Sequence, residues 1–379
     1  MKKIVIAPDS FKESLTALEV AEAVKQGFSS VYPDAEYCLV PMADGGEGTV
    51  EALVAVTDGK TVHTQVTGPA GTQVEAHYGL LGDGKTAVIE MASASGLHHV
   101  AQDDRDPCTA TSRGTGELIR HALDAGVRHI IVGLGGSATN DAGMGMLASL
   151  GVKFTDAQGN VVADGGAALI DVKHIDASEL HPAMAECTFE VACDVDNPLL
   201  GERGATAIFG PQKGADKQAL ATLEKSLTHL ADVLVENGFS DQREQQGAGA
   251  AGGMGFGMMT FMKATFKPGI EIVVEATNLK EVVKGADLVI TGEGRLDSQT
   301  IYGKTPIGVA KTAKLYDIPV IGIAGSLSSD VGVVTEHGID AVFSIMPSVM
   351  TLQEAFAGAK DNLIFNAKNI ATVMAMKAK

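Results

Sequence analysis

His129-Ile-Ile-Val132, followed by Gly133-Leu-Gly-Gly-Ser-Ala-Thr-Asn-Asp-Ala-Gly-Met-Gly145, is the stretch on which the fold turns. Its first four residues are an apolar, β-branched run that reads as a buried strand. The connection behind it packs glycines, small hydroxyls, an amide and a carboxylate together. Glycine lets backbone approach a ligand closely, and successive exposed N–H groups make an anion-binding concavity. The same loop also fits a plain strand-to-helix turn whose glycines serve only φ > 0. A helix is expected from about Gly145.

Outward from this stretch the same strand–loop–helix unit recurs. Residues 4–7 read as a strand and Asp9-Ser-Phe-Lys-Glu-Ser14 as a polar loop. Thr16 and Glu19 then have the spacing of a capping box, ahead of a helix carried by Leu18, Ala21, Val24, Phe28 and Val31. Residues 37–40 are the next strand, running into Ala43-Asp-Gly-Gly-Glu-Gly-Thr49 and a second helix. That order begins a parallel, helix-covered sheet. From Thr61 the texture changes. Residues 62–66, 72–81 and 86–90 read as strands joined by Gly68-Pro-Ala-Gly71 and Gly82-Asp-Gly84, turns short enough to imply antiparallel hairpins.

Further on, a helix over 115–125, the strand 129–132 and a strand over 189–193 alternate again, while 156–180 is turn-rich. Residues 217–237 form an amphipathic helix, and the glycine-rich stretch Gly247 to Gly257 is a loop entering a buried helix over 258–266. Strands at 287–291, 320–324 and 341–345, with helices between, lead to a long helix from Leu352. The expected architecture is α/β in two domains. Residues 1–60 plus 285–379 build a Rossmann-like parallel-sheet domain from both chain ends. Residues 61–284 form an inserted mixed α/β domain, with the active site in the cleft between them.

A chain of 379 residues exceeds one ordinary core, and 45% hydrophobic with 20% charged residues is ordinary for a folded soluble protein. A net charge of −18 argues against a nucleic-acid partner, so an anion must be held locally by a few cations and backbone N–H groups. Four cysteines without a CxxC suit reduced thiols in a cytosolic protein. Pro8-Asp9 ends the first apolar run too early for a signal peptide, and no run approaches membrane-spanning length. The expectation is a cytoplasmic protein with no membrane partner, able to form a homo-oligomer.

The chemistry follows from shared position. The loops at 9–14, 43–49, 133–145, 292–299 and 325–330 all follow predicted strand ends, the edge where ligands bind in open α/β sheets. Each brings glycine, hydroxyls and a carboxylate, and some bring Lys12 or Arg295. That set suits phosphoryl transfer, which needs donors and cations on phosphate oxygens and carboxylates for Mg²⁺ and for the acceptor hydroxyl. No Cys/His cluster has zinc spacing, and Gly135-Gly-Ser137-Ala-Thr139 does not complete a nucleophile elbow. Gly79-Leu-Leu-Gly-Asp-Gly-Lys-Thr86 fits a P-loop string, but a strand follows it, so it reads as a hairpin tip. Gly133 to Ala138 fits G-x-G-x-x-A with Asp156 beyond it. That match supports the alternative, an NAD(P)-dependent oxidoreductase of a small hydroxy acid.

Asp9-Ser-Phe-Lys-Glu-Ser14, Ala43-Asp-Gly-Gly-Glu-Gly-Thr49, Gly135-Gly-Ser-Ala-Thr-Asn-Asp141 and Thr291-Gly-Glu-Gly-Arg-Leu-Asp-Ser-Gln299, in that order, closely resemble the bacterial glycerate kinase family (type I, ATP-dependent). Phe209-Gly-Pro-Gln-Lys-Gly214 and Gly247 to Gly257 resemble it too, so the likeness covers nearly the whole chain. It implies phosphorylation of D-glycerate to 2-phosphoglycerate by ATP and Mg²⁺, and a flavodoxin-like domain with an inserted mixed α/β domain. Within that frame Asp194 is the candidate carboxylate for the acceptor hydroxyl, with Asp141 its rival. Lys12 and Arg295 are candidate cations for the substrate carboxylate or the moving phosphate, and Ser10 and Asp44 are further candidate substrate contacts. Gly135, Gly136, Ser137 and Asn140 are candidates for the ATP phosphates, and Asp297 and Glu47 for Mg²⁺. Lys213 reads either as a phosphate contact or as a surface residue, and Lys304 as a solvated one. Ala142 and Glu13 stand where the family often has glycine. Alanine fits at 142 only with negative φ, so that loop is expected to take a slightly different shape.

Overall fold

The structure is a computed structural model that describes residues 1–376. In chain order its strands begin with β1 (Lys3–Ile6), β2 (Glu36–Leu39), β3 (Lys60–Thr67), β4 (Gln73–Leu80) and β5 (Thr86–Glu90). They continue with β6 (His129–Gly133), β7 (Lys153–Thr155), β8 (His174–Asp176), β9 (Thr188–Ala192) and β10 (Thr265–Lys267). The last are β11 (Leu288–Leu296), β12 (Val320–Leu327) and β13 (Ala341–Ser344). The chain divides into two compact units, one of Met1–Asp58 with the chain from Pro268 onward, the other of Gly59–Lys267.

In the first unit five strands pair in the order β13-β12-β11-β1-β2, all parallel. Counted within the unit this is the flavodoxin-like order 2-1-3-4-5. Ile4 to Ile6 and Leu288 to Ile290 are buried, as parallel strands covered on both faces require. Helix Ala17–Ser29 starts at the expected capping box. The Thr16 hydroxyl accepts from the Glu19 N–H, and the Glu19 carboxylate accepts from the Thr16 N–H at 2.9 Å. Its Val20, Val24 and Phe28 are buried, and the helix packs on Ala359–Met376.

In the first unit three details differ from the sequence reading. β11 and β12 run past 291 and 324, because their register continues through Glu293↔Ala324 and Arg295↔Ser326. Glu293 and Arg295 are therefore strand residues. The C-terminal helix is split at Gly358, whose N–H closes the piece Leu352–Ala357 onto the Glu354 carbonyl at 3.0 Å. The return to the first unit comes at 267–268 and not at 284–285. Helices Gly269–Ala276 and Leu279–Val282 bury Ile270, Val273 and Leu279 and pack on helix Thr305–Lys314, so their apolar face completes the first unit.

The second unit holds a six-stranded sheet, β10-β9-β6-β5-β4-β3. β3, β4 and β5 form the expected antiparallel hairpins, and β5, β6, β9 and β10 are parallel. The P-loop string is a hairpin tip: Leu80 pairs with Ala87, and Asp83 accepts from the N–H groups of Lys85 and Thr86. Helix Lys217–Glu236 buries Leu223, Leu227, Leu230 and Leu234. The expected helix over 258–266 instead spans Ala250–Met262 and ends at left-handed Lys263. Phe266 then pairs with Val191 as strand. Among the described residues no helix is long and apolar enough to cross a membrane.

Candidate active site

Each unit carries one polar centre. In the second unit it is built on the loop that leaves β6. Gly135 and Gly136 are exposed, while Ser137 to Asp141 are buried. The loop is held at its neck by Leu97 N–H on the Gly136 carbonyl and Ala138 N–H on the Ser95 carbonyl, both 2.9 Å. Below, the glycine-rich stretch packs against it with Ala251, Gly252 and Gly253 all left-handed. The Ala142 N–H donates to the Gly252 carbonyl at 3.0 Å. A Cβ at Gly252 would be driven into the Thr139 carbonyl oxygen, so this close approach requires glycine. Among the described residues the Gly135 and Gly136 N–H groups meet no acceptor.

Asp141 is fully buried and its carboxylate accepts four hydrogen bonds. It accepts from Ser112 N–H at 2.9 Å, Ser112 Oγ at 2.7 Å, Gly143 N–H at 3.1 Å and Gly145 N–H at 3.3 Å. Burial pushes its pKa up, and these hydrogen bonds oppose the shift. The residue ties the start of helix Arg113–Asp124 to the start of helix Met144–Ser149, with three of these bonds on Oδ2 and one on Oδ1. Beside it Lys213 is 1% exposed. Its Nζ donates to Ser137 Oγ at 2.9 Å and to the Thr139 carbonyl at 2.6 Å. Burial lowers its pKa to about 7 against the pull of Asp141. Asn140 donates to Thr206 Oγ1 at 3.1 Å, whereas Asn140 Oδ1 and Thr139 Oγ1 are buried without a partner.

Ala142 has φ +52° and Glu13 has φ +65°. The expectation of a reshaped loop at 142 is therefore corrected. The left-handed backbone is kept and the alanine Cβ carries the strain, because the Gly252 carbonyl fixes that peptide.

The first unit's centre lies where its strand order reverses, between β1 and β11. Asp9 N–H donates to the Gly292 carbonyl at 2.8 Å, and Thr291 Oγ1 to the Ala7 carbonyl at 2.8 Å. This extends the ladder and sets Asp9 beside the β11 extension. Asp9 accepts from Thr305 Oγ1 at 2.6 Å, and Glu293 from Thr300 Oγ1 at 2.8 Å. Lys304 Nζ is 3.7 Å from Glu293. Burial lifts the Asp9 carboxyl to about 6 and that of Glu293 to about 7, and the negative charge of Asp44 adds to both. Asp44 is half-buried and accepts from Gly46 N–H at 3.1 Å.

Ser10 is half-buried at the same loop, and Lys12 and Glu47 are exposed. Arg295 is exposed, with Nε 3.3 Å from the largely buried Asp297. Asp194 lies just past β9 in the second unit and is exposed.

The family model for the glycerate kinase family matches residues 4–375. The chain belongs to the glycerate kinase family. A relative from Escherichia coli (strain K12), "Glycerate 2-kinase", is 56% identical over 99% of this chain and 98% of its own. A "Glycerate kinase" from Bacillus subtilis (strain 168) is 55% identical over 97% of each chain. A crystal structure from Salmonella typhimurium LT2, provisionally named glycerate kinase 2, is 54% identical. It has a TM-score of 0.92 and covers 100% of this chain and 99% of that one.

For this glycerate kinase family member, an enzyme, the sequence reading did not single out Glu293, Thr300, Thr305 or Ser112, which the structure sets in these two polar centres. Lys304, read as solvated, is half-buried with its Nζ 3.7 Å from Glu293. The available signal was Thr291-Gly-Glu293, a carboxylate directly behind a fully apolar strand, read there as loop because the strand's extension depends on pairing with β12.

Proposed function

We propose that this enzyme transfers the γ-phosphoryl group of ATP to D-glycerate, giving 2-phosphoglycerate and ADP, with Mg²⁺. The observation that carries the reading is 56% identity, over nearly the full length of both chains, to a protein named glycerate 2-kinase. The free N–H groups of Gly135 and Gly136, with Ser137 and Asn140 in the same loop, suit oxyanions of the ATP phosphates. Ser10, Asp44, Lys12 and Arg295 are the contacts for glycerate, the two cations serving its carboxylate.

Glu293 orients and deprotonates the acceptor hydroxyl. A carboxyl held near 7 is matched to a general base at neutral pH, and it stands at the strand-order reversal where α/β ligands bind. Asp141 is fully buried and engaged by Ser112 and backbone N–H groups. Asp194 is exposed to water in the other unit.

The chain's carboxylates fit Mg²⁺. The negative charge of Asp44 disfavours ionisation of Asp9, and those of Asp9 and Asp44 disfavour ionisation of Glu293, a surplus that a cation relieves. No group of three or more acidic, His or Cys side chains forms a metal cage among the described residues. That pattern fits an ion that keeps its waters and needs one or two carboxylates; Asp297 and Glu47 would hold it. Bound Mg²⁺ would neutralise phosphate charge. ATP as donor goes with a cytoplasmic location. The NAD(P) reading is not favoured, since Asp156 closes a turn by accepting from Gln158 and Asn160 N–H groups.

The test is ADP release by the purified protein. It should require D-glycerate and Mg²⁺ together; none with both present contradicts the proposal. Glu293→Gln should lower kcat about 100-fold or more with KM for ATP little changed. Normal turnover by Glu293→Gln together with loss in Asp194→Asn would move the base to Asp194.

A further inference from the structure

Phe209-Gly-Pro-Gln-Lys-Gly214 has no part in the reaction as proposed, yet it drives a lysine into the interior. Pro211–Lys213 form a 3-10 turn, closed by Lys213 N–H on the Gly210 carbonyl at 3.0 Å and Gly214 N–H on the Pro211 carbonyl at 3.1 Å. Gly214 is left-handed and lies against the Arg105 carbonyl, and Arg105 Nη1 donates to the Gln212 carbonyl at 3.2 Å. The turn is fixed, and with it the lysine's direction.

The ammonium ends under the loop that follows β6. Among the described residues no carboxylate lies within ion-pair distance of it, and the Asp141 oxygens are committed to backbone and Ser112. An unpaired buried charge is costly, and apolar replacement of such a group is often neutral or stabilising. Packing alone therefore does not explain a lysine here. Its hydrogen bonds do. Because Nζ donates to Ser137 Oγ, the Ser137 hydroxyl proton must point to another acceptor, and among the described residues it has none. Gly135 and Gly136 N–H groups are equally unmet. A hydroxyl donor, two backbone donors and a positive charge behind them form a set complementary to an oxyanion.

We propose that Lys213 is a positioning residue for the nucleotide phosphates: by donating to Ser137 Oγ and the Thr139 carbonyl it makes Ser137 an obligate donor and gives the Gly135 to Ser137 loop its positive potential. This rests on the reading that this loop binds nucleotide. A ligand anion would in turn favour the charged form of a lysine that burial holds near neutrality.

The experiment compares Lys213→Met, Ser137→Ala and the double variant in the full-length protein. ADP binding is measured by calorimetry, KM for ATP and for D-glycerate by turnover, and Tm by thermal melting. Lys213→Met should bind ADP at least tenfold more weakly and raise KM for ATP in step. KM for D-glycerate should stay within twofold, and Tm should be kept or raised. The double variant should be no worse than Lys213→Met, since the lysine acts through Ser137. Unchanged ADP binding in Lys213→Met with weakened binding in Ser137→Ala overturns the role of Lys213 alone. Unchanged binding in both overturns the nucleotide reading of the loop. A lower Tm with both KM values raised alike shows a purely structural lysine and also overturns the proposal. If Lys213→Met does not fold, Lys213→Gln, which keeps a donor for Ser137 without the charge, is held to the same ADP and glycerate criteria.

Discussion

Glu293 is a residue whose ionisation the fold governs through burial. Its pKa is raised from the ordinary glutamate range to about 7, first by burial, so the folded state holds the proton more tightly than the unfolded chain. Stability from this group is fully present below the unfolded pKa and is lost as pH rises through about 7. Between pH 5 and 8 the wild-type Tm should therefore fall more than that of Glu293→Gln, and parallel curves would contradict the assignment. Asp141 makes the opposite kind of prediction. Asp141→Asn turns an amide NH₂ toward N–H and O–H donors, and unsatisfied buried groups of this kind cost roughly 1–3 kcal/mol each. Melting of Asp141→Asn should show a loss of about 3 kcal/mol; a loss below about 1 would refute the clamp. The strained Ala142 should gain roughly 1 kcal/mol on replacement by glycine, read as a higher denaturation midpoint.

At the scale of elements, local signals were legible in the sequence and long-range ones were not. The Thr16–Glu19 capping box and the glycine turns of the hairpins depend on a few neighbouring residues. The extension of β11 to Leu296 depends on β12, and the split at Gly358 on one weak helix former. Burial of Lys213 depends on a loop far away in sequence. The carboxylate Asp141 read as a possible base because its four donors come from Ser112 and from backbone that no pattern reveals. The glycine-rich stretch before helix Ala250–Met262 gives this scale its test. Gly252→Ala adds a left-handed Cβ against the Thr139 carbonyl, whereas Gly201 is left-handed with open space around it. Gly201→Ala should cost about 1 kcal/mol. Gly252→Ala should cost that plus the 1–3 kcal/mol typical of overpacking, roughly 3 in all. Equal costs in urea unfolding would mean that the stretch is not a packing surface for the loop.

For the whole molecule, strand–loop–helix alternation at both chain ends expressed a parallel sheet, and the structure has one in the flavodoxin-like order. The turn-linked middle expressed hairpins, and β3 to β5 are those hairpins. The return point was not legible, because Gly269–Ala276 carries the same apolar texture whichever core it joins. Function was legible mainly through motifs in order along the chain. Their physical content is a loop of unmet N–H groups over a buried lysine in one unit, and a pair of proton-retaining carboxylates at the strand-order reversal in the other. The measurement that tests the central claim most directly is proton-coupled ³¹P NMR of the product formed from ATP, Mg²⁺ and D-glycerate. A phosphate ester on the C2 oxygen couples to a single carbon-bound proton and gives a doublet alongside ADP, the predicted result. A triplet from the C3 methylene, or ATP resonances that never change, would contradict it.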